Sequence, residues 1–119
     1  MSLFKISEKF ILNKLKFIKK GNLKLVNYDG QVYHFGDLED SFTADIKIIN
    51  PKFYLNIILG GSSALGESYI NKDFYSTNLT DLIELTAKNI KLIYSFSGSV
   101  RLQKIKNILK RIFASNTLS

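Results

Sequence analysis

Residues 23–35, LKLVNYDGQVYHF, place two alternating runs of apolar and polar side chains on either side of Asp29 and Gly30. Alternation with period two sends successive side chains to opposite faces of a strand, and an Asp-Gly pair suits a tight type I′ turn, so the stretch predicts a β-hairpin. A third run, FTADIKII at 42–49, sends Phe42, Ala44, Ile46 and Ile48 to one face and Thr43, Asp45 and Lys47 to the other. Strands with one apolar face require a second layer to cover it. The simplest arrangement is a three-stranded antiparallel meander packed with helices, an α+β domain.

The rest of the chain supplies those helices. Phe10, Ile11, Leu15 and Ile18 recur at helical spacing and predict a helix over about 3–20, ended by Gly21 in the left-handed position that follows a helix. Asn50 before Pro51 is a helix start, because asparagine caps free amide donors and proline has none to lose. That helix, 51–59, stops at Gly60 and Gly61; Ser62 or Ser63 is expected to cap a short helix over ALGESYI. Asn78, with Asp81 three residues on, starts a longer helix, and 90–96 stays helical up to Ser97 and Gly98. A last helix, about 100–113, aligns Leu102, Ile105, Leu109 and Ile112. The 119 residues read as one domain over 1–114, with 115–119 the start of a linker or tail.

Charge is unevenly spread along this frame. Residues 1–20 carry six lysines against Glu8, and residues 100–113 carry five basic residues and no acid, whereas 21–99 carry six basic residues against nine acids. Lys14, Lys16, Lys19 and Lys20 at one end, and Arg101, Lys104, Lys106, Lys110 and Arg111 at the other, are the candidate contacts to an anionic surface. Lipid headgroups, nucleic acid and an acidic partner domain all fit such a pattern. For nucleic acid, the strands lack the glycine and aromatic pattern of an RRM, and neither a helix-turn-helix nor a zinc module is legible. Cationic helices with broad apolar faces suit a membrane surface, and equally suit packing on a core with the lysines in water.

Several chemistries are disfavoured by composition. No cysteine is present, which removes disulfides, thiol catalysis and cysteine-bound metal; the single histidine, His34, falls in a predicted strand without partners at metal-ligand spacing. The longest apolar run, FYLNIIL at 53–59, is far short of the roughly 20 residues of a spanning helix, and lysines interrupt any leader-like segment at the N-terminus. The expected location is cytoplasmic, at most peripheral to the inner face of the membrane.

The densest run of glycine and hydroxyl residues, GGSSALGESYINKDFYS at 60–76, is a poor phosphate loop: Glu67 follows Gly66 where a P-loop has lysine, and a helix rather than a strand precedes it. Glu67 and Asp73 could form an acid/base pair, but no nucleophile or histidine lies near them in sequence. Their plainer roles are complementing a helix N-terminus for Glu67 and forming a turn for Asp73. Core packing is the default use of Tyr69, Phe74 and Tyr75.

With Pro51, Phe53, Gly60, Gly61, Gly66, Glu67, Ser68, Tyr69 and Asp73 in this order, the chain resembles the N-terminal domain of cyclopropane-fatty-acyl-phospholipid synthases and their methyltransferase relatives. The likeness runs over essentially the whole chain and centres on Gly-Glu-Ser-Tyr. It departs where that family usually carries glycine and tryptophan and this chain has Lys72 and Phe74. The resemblance implies a non-catalytic accessory domain that engages phospholipid and supports a separate catalytic domain or a homo-oligomer. The S-adenosylmethionine loop of that family would lie beyond this sequence, so neither cofactor binding nor methyl transfer is expected of it. It further implies that Gly60, Gly61 and Gly66 serve turns and close packing, and that Glu67 and Tyr69 hold the short helix to its neighbours.

Overall fold

The computed structural model describes residues 2–95. In chain order these form α1 (Leu3–Leu15), β1 (Asn22–Val26), β2 (Val32–Gly36), β3 (Thr43–Ile48), α2 (Lys52–Gly60), α3 (Ser62–Ile70), β4 (Phe74–Tyr75), α4 (Leu79–Lys88) and α5 (Ile90–Ser95). The α+β class and the three expected strands are present. The helix read at 100–113, its five cations and the tail at 115–119 lie outside the described residues.

The sheet is mixed, in the order β2-β1-β3-β4, which replaces the expected antiparallel meander. β1 and β2 pair antiparallel, but β3 pairs with β1 in parallel, Leu23 facing Ala44 and Leu25 facing Ile46. The connection at 37–42 explains the change. One carboxylate oxygen of Asp40 accepts from the Gly21 amide at 2.9 Å and the other accepts from the Phe42 amide at 2.9 Å. The Asn22 side chain donates to the carbonyls of Asp37 and Asp40. The chain leaving β2 is therefore carried across the start of β1 and enters on its other side. At the far edge, β4 adds a short antiparallel pairing to the end of β3.

The hairpin of β1 and β2 is also real, but its turn differs from the one the Asp-Gly pair predicts. The Gly30 amide donates to the Asn27 carbonyl at 2.9 Å, and Gly30 takes φ +89° while Tyr28 and Asp29 keep negative φ. That is a type I turn followed by a left-handed glycine; type I′ would need positive φ at both central residues.

One face of the sheet is covered. Leu23, Leu25, Phe35, Ala44, Ile46 and Ile48 are buried, while Lys24, His34 and Lys47, one step out of phase, are exposed on the other face. The stripe of α1 closes over the covered face: Phe10, Ile11, Leu15 and Ile18 are all buried. α1 ends five residues earlier than expected because Asn89 captures the chain. Its side-chain oxygen accepts from the amides of Lys19 and Lys20 at 3.1 and 3.2 Å, and its nitrogen donates to the carbonyls of Lys20 and Leu85. Gly21, at φ +77°, consequently opens β1 instead of closing α1. Among the described residues no helix is long and apolar enough to cross a membrane.

Candidate functional site

The two anchors of the resembled pattern before the glycines are placed by α2. The Asn50 side chain accepts from the Lys52 amide at 3.0 Å, and Pro51 precedes the first turn. Phe53 then enters the core, edge-on to Tyr54 and Phe74. Gly61, at φ +63° and ψ −144°, breaks the path between α2 and α3, and a Cβ at Gly60 would stand 2.8 Å from that of Ala64. These two glycines do serve a sharp, tight corner. The N-cap position of α3 falls on Gly61, one residue ahead of the expected serines, and the Ser63 hydroxyl donates to the Gly60 carbonyl.

Gly66 does not pack closely against the described residues: none of their atoms beyond its own helical backbone lies within 4 Å of where its Cβ would stand. The tight glycines are elsewhere, since a Cβ on Gly36 would collide with the Gly21 carbonyl oxygen. Glu67 is exposed, beyond the first turn of α3, and its side chain makes no ion pair or hydrogen bond among the described residues. Tyr69 is 44 % exposed with its ring near Phe74. The junction is instead made by Ser68 and Asp73, both buried. The Asp73 amide donates to the Ser68 carbonyl, its own carbonyl accepts from Ile49 and Asn50, and its carboxylate stands 3.7 Å from Lys52 Nζ. Asp73 is thus a buried tie between α2, α3 and the end of β3, more than a turn former.

A second polar cluster was not legible in sequence. Glu8 of α1 is buried and accepts from Asn27 Nδ2 at 3.1 Å and from the Tyr28 hydroxyl at 2.6 Å; the Tyr54 hydroxyl donates to Asn27 Oδ1. The bond to Glu8 holds the Tyr28 hydroxyl above the ordinary tyrosine range, and burial pushes that of Tyr54 far higher. The cluster joins α1, the hairpin and α2, its polar groups partnered by one another within the fold.

The candidate site lies where the end of α1 meets the α4–α5 corner. Phe17, Lys19, Lys20, Lys88, Asn89 and Lys91 line an open groove, floored in part by Ile90 and Leu92. Four lysines converge there from two segments about 70 residues apart in sequence, and none of the described residues lining it is acidic. Asn89 fixes the geometry by tying both strands of the groove together. Phe17 is 64 % exposed, so the groove pairs cationic heads with an aromatic ring in water. Lys88 is partly occupied, its Nζ lying 4.9 Å over the Phe42 ring and close enough to Asp40 to lower that carboxyl further. Of the N-terminal cations singled out from sequence, Lys19 and Lys20 reach the groove; Lys14 folds over the Phe10 ring, and Lys16 is exposed at the end of α1. Lys88 and Lys91 were hidden in the acidic middle of the sequence, and only the pairing of Asn89 with Lys19 and Lys20 reveals them.

A separate, partly open apolar pocket of about 80 Å³ lies between the helices and the covered face of the sheet. Leu15, Leu25, Ile57, Leu65, Leu82 and Ile93 are among its walls, and Thr86 is its one polar side chain among the described residues.

Fold and groove together define a small α+β domain with a groove that four lysines and an exposed phenylalanine line among its described residues. Comparison with protein-family models, with curated proteins and with solved structures finds no match to this chain.

Proposed function

We propose that this protein is a non-catalytic, lipid-associated accessory domain that engages the anionic headgroups of phospholipid bilayers from the cytoplasmic side. The observation that carries the reading is the groove in which Lys19, Lys20, Lys88 and Lys91 converge around Phe17, with Asp40 beside Lys88 but not lining the groove. A lysine near an anionic bilayer contributes about 1 kcal/mol. An exposed aromatic ring adds an interfacial anchor, since aromatic rings settle at the headgroup level of membranes. The stripe of α1 is spent on the core, so attachment by this end of the chain relies on charge and Phe17, without insertion of a helix face. The resemblance to the synthase N-terminal domain agrees with this, and the left-handed backbone at Lys72 is where the glycine of that pattern would sit.

The test is flotation with vesicles containing phosphatidylserine. Lys19→Glu with Lys91→Glu should weaken binding at least about tenfold more than Lys9→Glu with Lys24→Glu, a pair of equal charge outside the groove. Equal losses would mean that total charge alone matters, which would remove the groove from the account.

A second reading has an observation of its own. Ile49, Tyr69, Ile70 and Tyr75 are exposed together beside Lys72 at the end of β3 and β4, away from the groove. Such a patch suits an accessory module docking on a separate methyltransferase domain or on a second copy of itself. Absence of vesicle binding by the native chain would favour it.

A further inference from the structure

We infer that this chain forms a two-fold dimer through the exposed patch at the end of β3 and β4, and that the dimer engages anionic bilayers with two grooves. The dimer stands on the patch alone, whereas its use at a bilayer rests on the lipid reading of the groove.

The patch has the features that let a surface complement itself. Ile49, Tyr69, Phe74 and Tyr75 line one open hollow, and Ile70, 78 % exposed at the end of α3, projects beside it. In a two-fold contact residue i of one copy meets residue j of the other while j meets i, so a hollow and a projecting side chain on one patch suit each other across the axis. Charge follows the same rule. Lys72 lines the hollow, and Glu67 lies one turn before Ile70 on α3; both are exposed, and neither makes an ion pair among the described residues. One cation and one anion about an apolar centre pair crosswise, each Glu67 against the partner's Lys72. A surface of anionic headgroups would instead oppose Glu67.

The area also suffices. Ile49, Tyr69, Ile70 and Tyr75 are between 44 % and 78 % exposed. They leave roughly 450 Å² uncovered on each copy. With Glu67 and Lys72 included, two copies bury about the 1,000 Å² that a specific interface requires.

β3 separates this patch from the groove. Lys20 stands just before Asn22, which faces Thr43 at the start of β3, and Ile49 follows its end. The six residues of β3 span about 20 Å. α4 covers the same interval, from Asn78 after β4 to Lys88 in the groove. Dimerisation therefore leaves both grooves uncovered, and joint engagement of two linked sites strengthens attachment by about 10²–10⁴.

Sedimentation equilibrium of the full 119-residue chain without lipid tests the dimer. A reversible monomer–dimer equilibrium is expected. Ile70→Asp should weaken it at least about tenfold with an unchanged far-UV spectrum. Ile83→Asp, at an exposed isoleucine of α4 outside the hollow, should leave it as in the native chain. Glu67→Lys should weaken the dimer, and Glu67→Lys combined with Lys72→Glu should restore it. A native chain that stays monomeric up to its solubility limit would overturn the inference, as would a dimer indifferent to Ile70→Asp or unrestored by the charge exchange. A monomeric native chain that loses vesicle flotation with Ile70→Asp would assign the patch to the bilayer. For a dimeric native chain, Ile70→Asp should float with phosphatidylserine vesicles at least about tenfold more weakly, although its groove is untouched. Equal flotation would overturn the two-groove engagement. A dimer that does not float would leave the interface standing and defeat the bilayer reading.

Discussion

Lys72 is the one non-glycine residue with positive φ among those described, at +61°, between α3 and β4. A left-handed backbone costs a residue with a Cβ about 1–2 kcal/mol, part of which glycine returns by its greater freedom when unfolded. Lys72→Gly should therefore raise stability by about 0.5–1 kcal/mol, read as a higher urea midpoint at unchanged slope. Tyr54 argues the opposite way. Its hydroxyl is fully buried and donates to Asn27 Oδ1, so Tyr54→Phe leaves that oxygen without its partner and should destabilise by about 1–3 kcal/mol. An unchanged urea midpoint would show that Asn27 had found another donor. No atom of the described residues beyond its own helical backbone stands within 4 Å of a Cβ on Gly66, so the close packing that the resemblance implies there is not present among them.

Among the elements, the 37–42 connection decides the sheet order, and its anchor is titratable. Hydrogen bonds from the Phe42 and Gly21 amides hold the Asp40 carboxyl below the ordinary aspartate range. A depressed carboxyl stabilises the fold above its unfolded pKa of about 3.9, and that contribution is lost as pH falls through the lower folded value. Asp40→Ala should accordingly be less stable than the native chain at pH 7, with the difference shrinking below about pH 4. Urea titrations at pH 7 and pH 3 measure it; a difference that persists unchanged at pH 3 would assign the effect to packing. The helices were legible because their stripes repeat at helical spacing and Asn78 caps α4 as its position suggested, accepting from the Asp81 amide. The end of α1 was not, because Asn89, about 70 residues on, takes the amides that would have continued it.

For the whole molecule, the bilayer reading is electrostatic and should respond to salt, since attraction is screened over about 8 Å at physiological ionic strength. Vesicle binding that survives 1 M salt would point to the exposed patch at β4 instead of the groove. How far the sequence alone could lead follows from the range of the forces involved. Alternation, helical period and the Asp-Gly and Asn-Pro pairs act over a few residues, and these determined three of the four strands, most of the helices, the covered face of the sheet and the α+β class. The basic N-terminal segment was equally plain in composition. Tertiary structure decided whatever depended on partners distant in the chain. Asp40 reaching back to Gly21 set β3 parallel to β1, and Glu8 reaching Asn27 and Tyr28 tied α1 to the hairpin. Asn89 reaching Lys19 and Lys20 brought Lys88 and Lys91 to the groove. Each of these is a polar side chain satisfying a backbone group or another side chain that only the folded chain brings within hydrogen-bond distance, which is why no local pattern announced them.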